Sequence, residues 1–222
     1  YFTHLGNNKV NFFTDISNYV SYELGQPTHC YDMKNINNKI IFENIDQEVK
    51  FSTLLNKEIN LSGINSVFTM KNKVISLAGV IGGASSACSD NTKKVLIECA
   101  FFNPESIIGK SIKYNLKSDA AHKFERGVDI SSHEKVLRRF INIVQDHANI
   151  KNIRFDLSDI QEPIHKSLSF DVNIINNILG IHITKDKYKS YLENLGFRVA
   201  KEIQIPAYRH DIKTQNDLAE EI

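Results

Sequence analysis

Four features of the sequence combine residue types that catalytic and binding sites use. They are His29 in a predicted loop, the glycine-rich segment 79–83, Glu98 within an apolar run, and Ser118 ahead of a predicted helix. Glu98 is the most informative, because burying an ionised carboxylate is costly unless a partner neutralises it or donates hydrogen bonds to it. Its position therefore suggests a polar pocket that opens onto a strand, and the alternative is a glutamate at the rim of that strand.

The run that carries Glu98 reads as a β-strand over residues 95–101, in which successive side chains point to opposite faces. One face would carry Val95, Ile97, Cys99 and Phe101, and the other would carry Leu96, Glu98, Ala100 and Phe102. Apolar residues dominate both faces, so we expect both to be buried and the carboxylate to lack an obvious partner within the run.

The other three features each have a structural explanation beside the functional one. A single loop histidine such as His29 is more often structural than catalytic, and Ser118 is first of all a helix N-cap. The glycines of segment 79–83 lack the GxGxxG or GKS context of a nucleotide site and imply φ > 0 or a close backbone approach. The chain shows no Ser-His-Asp, HExxH or Cys-His pattern. The residues alone therefore do not assign a reaction.

Composition indicates an ordinary soluble globular protein. The chain has 222 residues, 41% of them hydrophobic and 24% charged, without an apolar run near the roughly 20 residues that span a bilayer. Its start does not resemble a signal peptide, so we expect a cytoplasmic protein without a membrane partner. A net charge of +1 gives no basic field of the kind that dominates nucleic-acid affinity, although local clusters could still contact a phosphate backbone. Bulk charge therefore does not decide the partner, and no DNA partner is expected. The cysteines Cys30, Cys88 and Cys99 lack CxxC spacing, which favours reduced thiols over disulfides or zinc.

Residues 1–150 are predicted to form a mixed, mostly antiparallel β domain. Apolar residues at three- and four-residue spacing predict a helix over 11–24 that ends at Gly25, followed by a loop over 26–32. Strands are predicted at 39–45, 48–55, 66–70, 74–78 and 95–101, with a hairpin at 70–74. Helices are predicted to start at Asn103, at Ser118, and at a capping box from Ser131 to Glu134 that opens a helix to about Ala148.

A polar linker is predicted over 151–166, before a small winged-helix-like domain over 167–222. That domain would contain a strand at 167–170, helices capped by Asp171 and Thr184, a two-stranded wing at 197–200 and 203–205, and a helix opening near Asn216 or Asp217. The fold class is therefore α+β. Because the chain starts at Tyr1 and stops within that last helix, we expect an excerpt from a longer protein.

Six segments resemble, in order and spacing, the β subunit of bacterial phenylalanyl-tRNA synthetase. Four are similar to the module called B3/B4: ELGQPTHCYD at 23–32, AGVIGG at 78–83, IECAFF at 97–102 and SDAAHKFERGVD at 118–129. PAYRHD at 206–211 and DLAEE at 217–221 resemble the following B5 module. In that family B3/B4 hydrolyses tyrosine mischarged onto phenylalanine tRNA. It does so within an α2β2 heterotetramer whose α subunit attaches phenylalanine to tRNA(Phe) using ATP.

The resemblance implies a role for each residue of an editing site. Glu98 would accept a hydrogen bond from the phenolic hydroxyl of the misattached tyrosine, and His29 would orient water or the ester near the scissile bond. Gly82 would let the backbone approach the substrate, and Ser118 with Ala120 would shape the pocket wall. Phenylalanine would leave a buried acceptor unpaired, and such asymmetry can reject the wrong side chain by several orders of magnitude.

The resemblance also implies a cofactor and partners. Hard oxygen ligands on a loop and a helix N-terminus suit Mg²⁺, which would be shared with the α subunit and bound by Asp211, Asp217, Glu220 and Glu221. The alternative is that these acids complement a helix dipole. ATP is expected to bind the holoenzyme and not this chain, and the expected partners are the α subunit and tRNA(Phe).

The chain departs from the resemblance at two places. Where many relatives have an Arg-Ser pair before the first helix, it reads GNNKV at 6–10, with Asn8 in place of a commonly found arginine. Ala78 replaces a common glycine. Two alternatives therefore stand beside editing: an inactive scaffold that supports the α subunit, and a free-standing hydrolase of misacylated tRNA.

Overall fold

The computed structural model describes His4, residues 8–156 and residues 166–222. It divides into two compact units: Tyr1–Val128 with Ser132–Asp156, and Leu157–Ile222 with the short segment Asp129–Ser131. Gly6 and Asn7 of the departing segment and most of the predicted linker lie outside the described residues. The domain boundaries given above stay a prediction.

The helices of the first unit begin and end where local signals favour it. They are α1 (Phe12–Leu24), α2 (Pro104–Ile107), α3 (Lys110–Lys113), α4 (Asp119–Phe124) and α5 (His133–His147). The Asn11 side chain caps α1, and Gly25 ends it in the left-handed conformation with φ 74°. The Asn103 and Ser118 side chains cap α2 and α4 as predicted. The predicted capping box at Ser131 is wrong, because the N-cap of α5 is Ser132, without a side-chain capping bond.

The strands of the first unit form antiparallel sheets. They are β1 (His29–Asp32), β2 (Ile40–Asp46), β3 (Val49–Ser52), β4 (Glu58–Leu61), β5 (Ile64–Met70), β6 (Lys73–Leu77), β7 (Ile81–Gly82) and β8 (Val95–Glu98). The pairings are β1 with β8, β3 with β4, and a four-stranded sheet in the order β2-β5-β6-β7. Lys71 and Asn72 both have positive φ between β5 and β6, which confirms the predicted hairpin with the backbone of a type I′ turn.

Two predictions around β1 and β8 are wrong. The predicted loop over 26–32 contains β1, because its backbone pairs with β8, a partner far along the chain that local patterns do not reveal. The predicted strand over 95–101 ends at Glu98, and its two faces are not both buried: Leu96 is 39% exposed and Phe101 is 41% exposed. Strands β4 and β7 and helix α3 were not predicted.

Two apolar clusters hold the first unit together. One packs α1 and α5 against the β1–β8 pair through Ile16, Val20, Cys30, Val136, Phe140 and Val144. The other lies beside the remaining sheets and includes Phe51, Leu61, Val67, Leu77, Phe102 and Phe124. Gly79, at φ 67°, lies against this second cluster, and a Cβ there would come within 2.8 Å of the Phe102 ring. The glycine therefore serves both close packing and the turn.

The described part of the second unit combines three helices with one small sheet. Its elements are β9 (Lys166–Ser169), α6 (Val172–Leu179), α7 (Lys185–Asn194), β10 (Arg198–Val199), β11 (Glu202–Ile205) and α8 (Gln215–Ala219). Asp171 and Thr184 cap α6 and α7 as predicted. The two strands predicted as a wing pair with each other as β10 and β11, and β9 also pairs with β11, which gives a three-stranded antiparallel sheet. The mixed helix and antiparallel-sheet class is confirmed, whereas the winged-helix-like description is not.

Cys30, Cys88 and Cys99 are free thiols, as predicted. Within the described residues, the structure has no helix that combines the length and the apolar character needed to cross a membrane.

Candidate functional site

The pairing of β1 with β8 places His29 directly opposite Glu98. Directly opposed residues of an antiparallel pair project their side chains to the same face, and so do residues two apart on one strand. His29, Tyr31 and Glu98 therefore share one face, although His29 and Glu98 are far apart in the sequence. The structure thus brings together the two residues predicted to be catalytic.

Glu98 has a partner within the chain that the sequence analysis missed. The Tyr31 hydroxyl donates a hydrogen bond of 2.6 Å to Glu98 Oε2. Tyr31 is only 1% exposed, and its ring packs edge-on against the His29 imidazole, with centroids 4.4 Å apart and planes at 87°. A strand beginning at His29 would have placed Tyr31 on the same face, so the missed signal was the short apolar run that follows the histidine.

The three side chains have shifted protonation equilibria. Burial raises the pKa of Glu98 to about 7, and the hydrogen bond from Tyr31 opposes that rise. Burial lowers the pKa of His29 to about 4, so the imidazole is neutral near neutral pH. Burial and the neighbouring Glu98 charge raise the pKa of Tyr31, which keeps its phenol a hydrogen-bond donor. The site therefore holds a neutral histidine beside a carboxyl group that titrates near pH 7.

Gly82 adjoins His29 at a distance that excludes a side chain. A Cβ on Gly82 would overlap His29 Cε1 and come within 2.6 Å of His29 Nε2 and 2.9 Å of Leu54 Cδ1. His29 Nε2 is buried and has no hydrogen-bond partner among the described residues. A buried nitrogen of this kind is available to a bound ligand or water, because an unpaired polar atom gains by acquiring a partner. The glycine is needed here for space, since its φ is not positive.

Ser118 and Ala120 lie at the start of α4. The Ser118 hydroxyl accepts a hydrogen bond of 3.1 Å from Ala121 N and donates one to the carbonyl of Val80, in the glycine-rich segment. Ala120 lines a cavity of about 170 Å³ that is also lined by Thr28 and by Lys123. Burial lowers the pKa of Lys123. The cap role of Ser118 is confirmed, and its contribution to a pocket wall stays a prediction.

The structure does not gather all of the predicted site residues into one cavity. His29, Gly82 and Glu98 form one cluster around Tyr31, and Ser118 is tied to it only through the backbone of the glycine-rich segment. The cavity beside Ala120 is lined by Thr28, which precedes His29, but not by His29 or Glu98. The candidate site is therefore the cluster, and the cavity is its neighbour along the chain.

The predicted magnesium ligands of the second unit are engaged in other contacts. Arg209 donates to Asp211 Oδ2 at 2.6 Å and to Glu221 Oε1 at 2.5 Å, and its guanidinium lies 5.5 Å from the Phe197 ring centroid. The pair with Arg209 lowers the pKa of Asp211. A cation at the centre of this cluster opposes binding of a second cation.

The other two predicted ligands belong to the ends of α8. Asp217 Oδ2 accepts hydrogen bonds from Lys213 N and Thr214 N, at 2.8 and 2.7 Å, within a capping box, and Glu220 is the C-cap. In the part of the chain that the structure describes, three or more His, Cys, Asp or Glu side chains nowhere form a group that could hold a metal ion. The four residues therefore do not fit magnesium as this chain arranges them, and the shared site stays a prediction.

Comparison with known proteins identifies two domain families. The B3/4 domain model matches residues 2–149, and the tRNA synthetase B5 domain model matches residues 168–222. The β subunit of phenylalanine–tRNA ligase from Chlamydia trachomatis serovar D is 35% identical over 99% of this chain and 29% of its own length. The corresponding subunit from Burkholderia lata is 32% identical over 98% of this chain and 27% of its own length. The chain thus spans less than a third of these relatives.

A solved structure is similar over most of the chain. It is an N-terminal fragment of the phenylalanyl-tRNA synthetase β subunit from Pyrococcus horikoshii, with 13% identity, coverage of 94% of this chain and 63% of that one, and a TM-score of 0.41. The family models, which match most of the sequence in the order B3/4 then B5, confirm the resemblance seen in the motifs. The chain belongs to the family of phenylalanine–tRNA ligase β subunits, of which it carries a B3/4 domain and a B5 domain.

Proposed function

We propose that the B3/4 domain hydrolyses tyrosine from mischarged Tyr-tRNA(Phe), within an enzyme in which an α subunit attaches phenylalanine to tRNA(Phe) using ATP. Glu98 recognises the substrate's phenolic hydroxyl, and His29 orients water or the ester. Gly82, Ser118 and Ala120 shape the surroundings of the tyrosyl group. The B5 domain supports the α subunit, which supplies the aminoacylation site.

One observation carries this proposal: Glu98 already accepts a hydrogen bond from a phenol, that of Tyr31, at 2.6 Å. A carboxylate has two oxygens with about four lone-pair positions, so one bound phenol leaves acceptor capacity for a second. The hydroxyl of a misattached tyrosine is a donor of the same chemistry, and phenylalanine has none. The partly buried position of Glu98 strengthens this discrimination, because water competes poorly there.

The histidine contributes a neutral imidazole. With its pKa lowered to about 4, His29 offers a lone pair on one nitrogen and a hydrogen on the other near neutral pH. Its Nε2, buried and unpartnered among the described residues, is the atom that a water molecule or the ester would contact. Such a group orients a nucleophile without needing to lose a proton first.

The test compares the heterotetramer containing the full-length β subunit with its Glu98→Ala variant. The measurement is the rate at which radiolabelled tyrosine is released from Tyr-tRNA(Phe). Loss of a hydrogen bond to a charged group predicts a rate roughly 10- to 100-fold lower in the variant. Glu58→Ala is the matched control, because Glu58 is also a strand glutamate but its side chain is 60% exposed. Equal rates in the wild type and Glu98→Ala would remove Glu98 from the mechanism.

A second candidate function is support of the α subunit without editing. The Tyr31–Glu98 bond favours it, because an internal phenol already occupies one carboxylate oxygen. A wild-type heterotetramer that aminoacylates tRNA(Phe) but leaves Tyr-tRNA(Phe) intact would establish this alternative. A free-standing hydrolase is disfavoured by the B5 match over residues 168–222, since B5 belongs to the synthetase subunit in the relatives.

A further inference from the structure

Tyr31 makes contacts through its hydroxyl, its ring and its backbone. Its hydroxyl donates to Glu98 Oε2 on β8, and the Ser76 hydroxyl on β6 also interacts with it. Ser76 lies directly opposite Gly82 in the pairing of β6 with β7. The Tyr31 backbone forms a β-bridge with Ala87 in addition to its pairing with β8. The phenol is therefore hydrogen-bonded to Glu98 and lies beside Ser76 of a separate sheet, at the point where the candidate site residues meet.

We propose that Tyr31 is a positioning and specificity-determining residue, whose phenol holds Glu98 Oε2 and so directs Oε1 to the hydroxyl of the tyrosyl substrate. This inference rests on the proposed editing function. The terminal torsion of a glutamate is broad and roughly two-fold, so an unrestrained carboxylate would present either oxygen in many orientations. A hydrogen bond to one oxygen removes that freedom before the substrate arrives.

The same bond controls the charge of the acceptor. Burial raises the pKa of Glu98 to about 7, and the Tyr31 hydrogen bond acts against that rise. Without the phenol, a smaller fraction of Glu98 would be ionised at neutral pH, and the ionised form is the stronger acceptor. Tyr31 therefore contributes both the direction and the ionisation of the acceptor.

The titratable neighbours of Glu98 on β1 and β8 have pKa values shifted away from 7. Cys30, next to Tyr31 on β1, and Cys99, which follows Glu98, have thiol pKa values raised by burial, that of Cys99 to about 12. His29, which faces Glu98 from β1, has its pKa lowered to about 4. We therefore expect the acid limb of the hydrolysis profile, which is the fall in rate toward low pH, to follow the protonation of Glu98.

The test uses the complete heterotetramer with Tyr31→Phe, which keeps the ring and removes the donor. Tyr114→Phe is the matched control, because Tyr114 is also buried and its hydroxyl hydrogen-bonds Asn65 and Ser62. We expect Tyr31→Phe to slow release of tyrosine from Tyr-tRNA(Phe) about tenfold. The acid limb of its pH profile should move to higher pH, whereas Tyr114→Phe should leave both the rate and the limb unchanged.

A double-mutant cycle separates the inference from the proposed function. If Tyr31 acts through Glu98, Tyr31→Phe should have no further effect on the rate in the Glu98→Ala background, whatever it does to stability. One outcome would overturn the positioning role alone. In that outcome, Glu98→Ala loses hydrolysis, but Tyr31→Phe has the same rate and the same acid limb as Tyr114→Phe. Unchanged hydrolysis in Glu98→Ala would overturn the proposed function, and the positioning role with it.

Discussion

The chain holds carboxylates in two contrasting ways. Glu98 in the first unit takes its hydrogen bond from a neutral phenol, and burial raises its pKa to about 7. Asp211 and Glu221 in the second unit share the guanidinium of Arg209, and that pairing lowers the pKa of Asp211. Burial disfavours the ionised form of Glu98, whereas the guanidinium of Arg209 favours the ionised form of Asp211.

The difference lies in how much each carboxylate would gain from a further hydrogen-bond donor. Glu98 would gain more than the two carboxylates that are paired with Arg209. A carboxylate paired with a guanidinium has already replaced its lost hydration with charge-assisted hydrogen bonds, so a further donor adds little. Glu98 has only a neutral donor among the described residues, and a second donor would relieve part of its desolvation cost. The contrast supports the proposal that Glu98 recognises a ligand, and it shows Asp211 and Glu221 paired with Arg209 in this chain.

The largest expected change in stability follows from substitution of Glu98. The folded-state pKa is raised from 4.5 to about 7, so the folded protein binds this proton more tightly than the unfolded chain does. The contribution of protonated Glu98 to the stability of the folded protein is therefore complete below pH 4.5 and is lost as the pH rises through 7. Glu98→Gln, which stays neutral, should therefore stabilise the first unit by about 3 kcal/mol at alkaline pH and by almost nothing at acidic pH.

Native-state hydrogen exchange at the β1 and β8 amides measures this difference, with Glu58→Gln as the exposed control. Destabilisation of the first unit by Glu98→Gln at alkaline pH would contradict this contrast. It would mean that the ionised Glu98 carboxylate already has all the hydrogen bonds it needs in the folded protein.

An intermediate effect is expected from Arg209. Its side chain is 18% exposed, and Arg209→Ala would leave Asp211 and Glu221 close together without their shared cation. We expect a loss of about 2 kcal/mol in the second unit. Arg138→Ala is the control, because Arg138 and Glu134 form an i,i+4 pair with side chains 72% and 75% exposed, which predicts a loss of about 0.5 kcal/mol or less.

Amide exchange along β11 and α8 reports the Arg209 variant, and exchange in α5 reports the Arg138 variant. Equal losses would contradict the structural role given to the Arg209 cluster. Protection restored by millimolar MgCl2 in Arg209→Ala would indicate that the carboxylates bind magnesium once the guanidinium is removed.

The smallest effect concerns the N-cap of α8. Thr214 Oγ1 accepts from Asp217 N, and its removal in Thr214→Ala should cost about 1 kcal/mol, measured as faster amide exchange in α8. Thr184→Ala, at the N-cap of α7, should cost a similar amount and serves as the control. A loss in Thr214→Ala as large as that in Arg209→Ala would mean that the cap, and not the guanidinium, holds the acidic segment.

Sequence patterns predicted the elements whose signals are local. The caps at Asn103, Ser118, Asp171 and Thr184 lie where the residue types indicated, because each cap involves residues only two or three positions away. The capping box formed by Thr214 and Asp217 is equally local. It was missed because the predicted helix opened near Asn216 or Asp217, after the observed N-cap at Thr214. The glycines of segment 79–83 were predicted for the right reason, since each serves a turn or a close approach.

The candidate site depended on contacts that local patterns do not carry. Tyr31 and Glu98 are 67 positions apart, and the pairing of β1 with β8 is visible only in the fold. The Arg209–Glu221 ion pair was missed although both residues lay in the quoted motifs, because composition alone does not say which charges meet. Family resemblance identified His29, Gly82 and Glu98 together, and the structure added the tyrosine between them.

The register of β1 against β8 has a consequence for how the protein is made. Synthesis proceeds from the N-terminus, so His29 and Tyr31 leave the ribosome long before the strand that completes their site. Closing so long a loop costs entropy that β8 must offset before the Tyr31–Glu98 bond can form. A nascent or truncated chain that lacks β8 therefore lacks both Glu98 and the backbone partner of β1, so the Tyr31–Glu98 pair forms only after β8 has been synthesised.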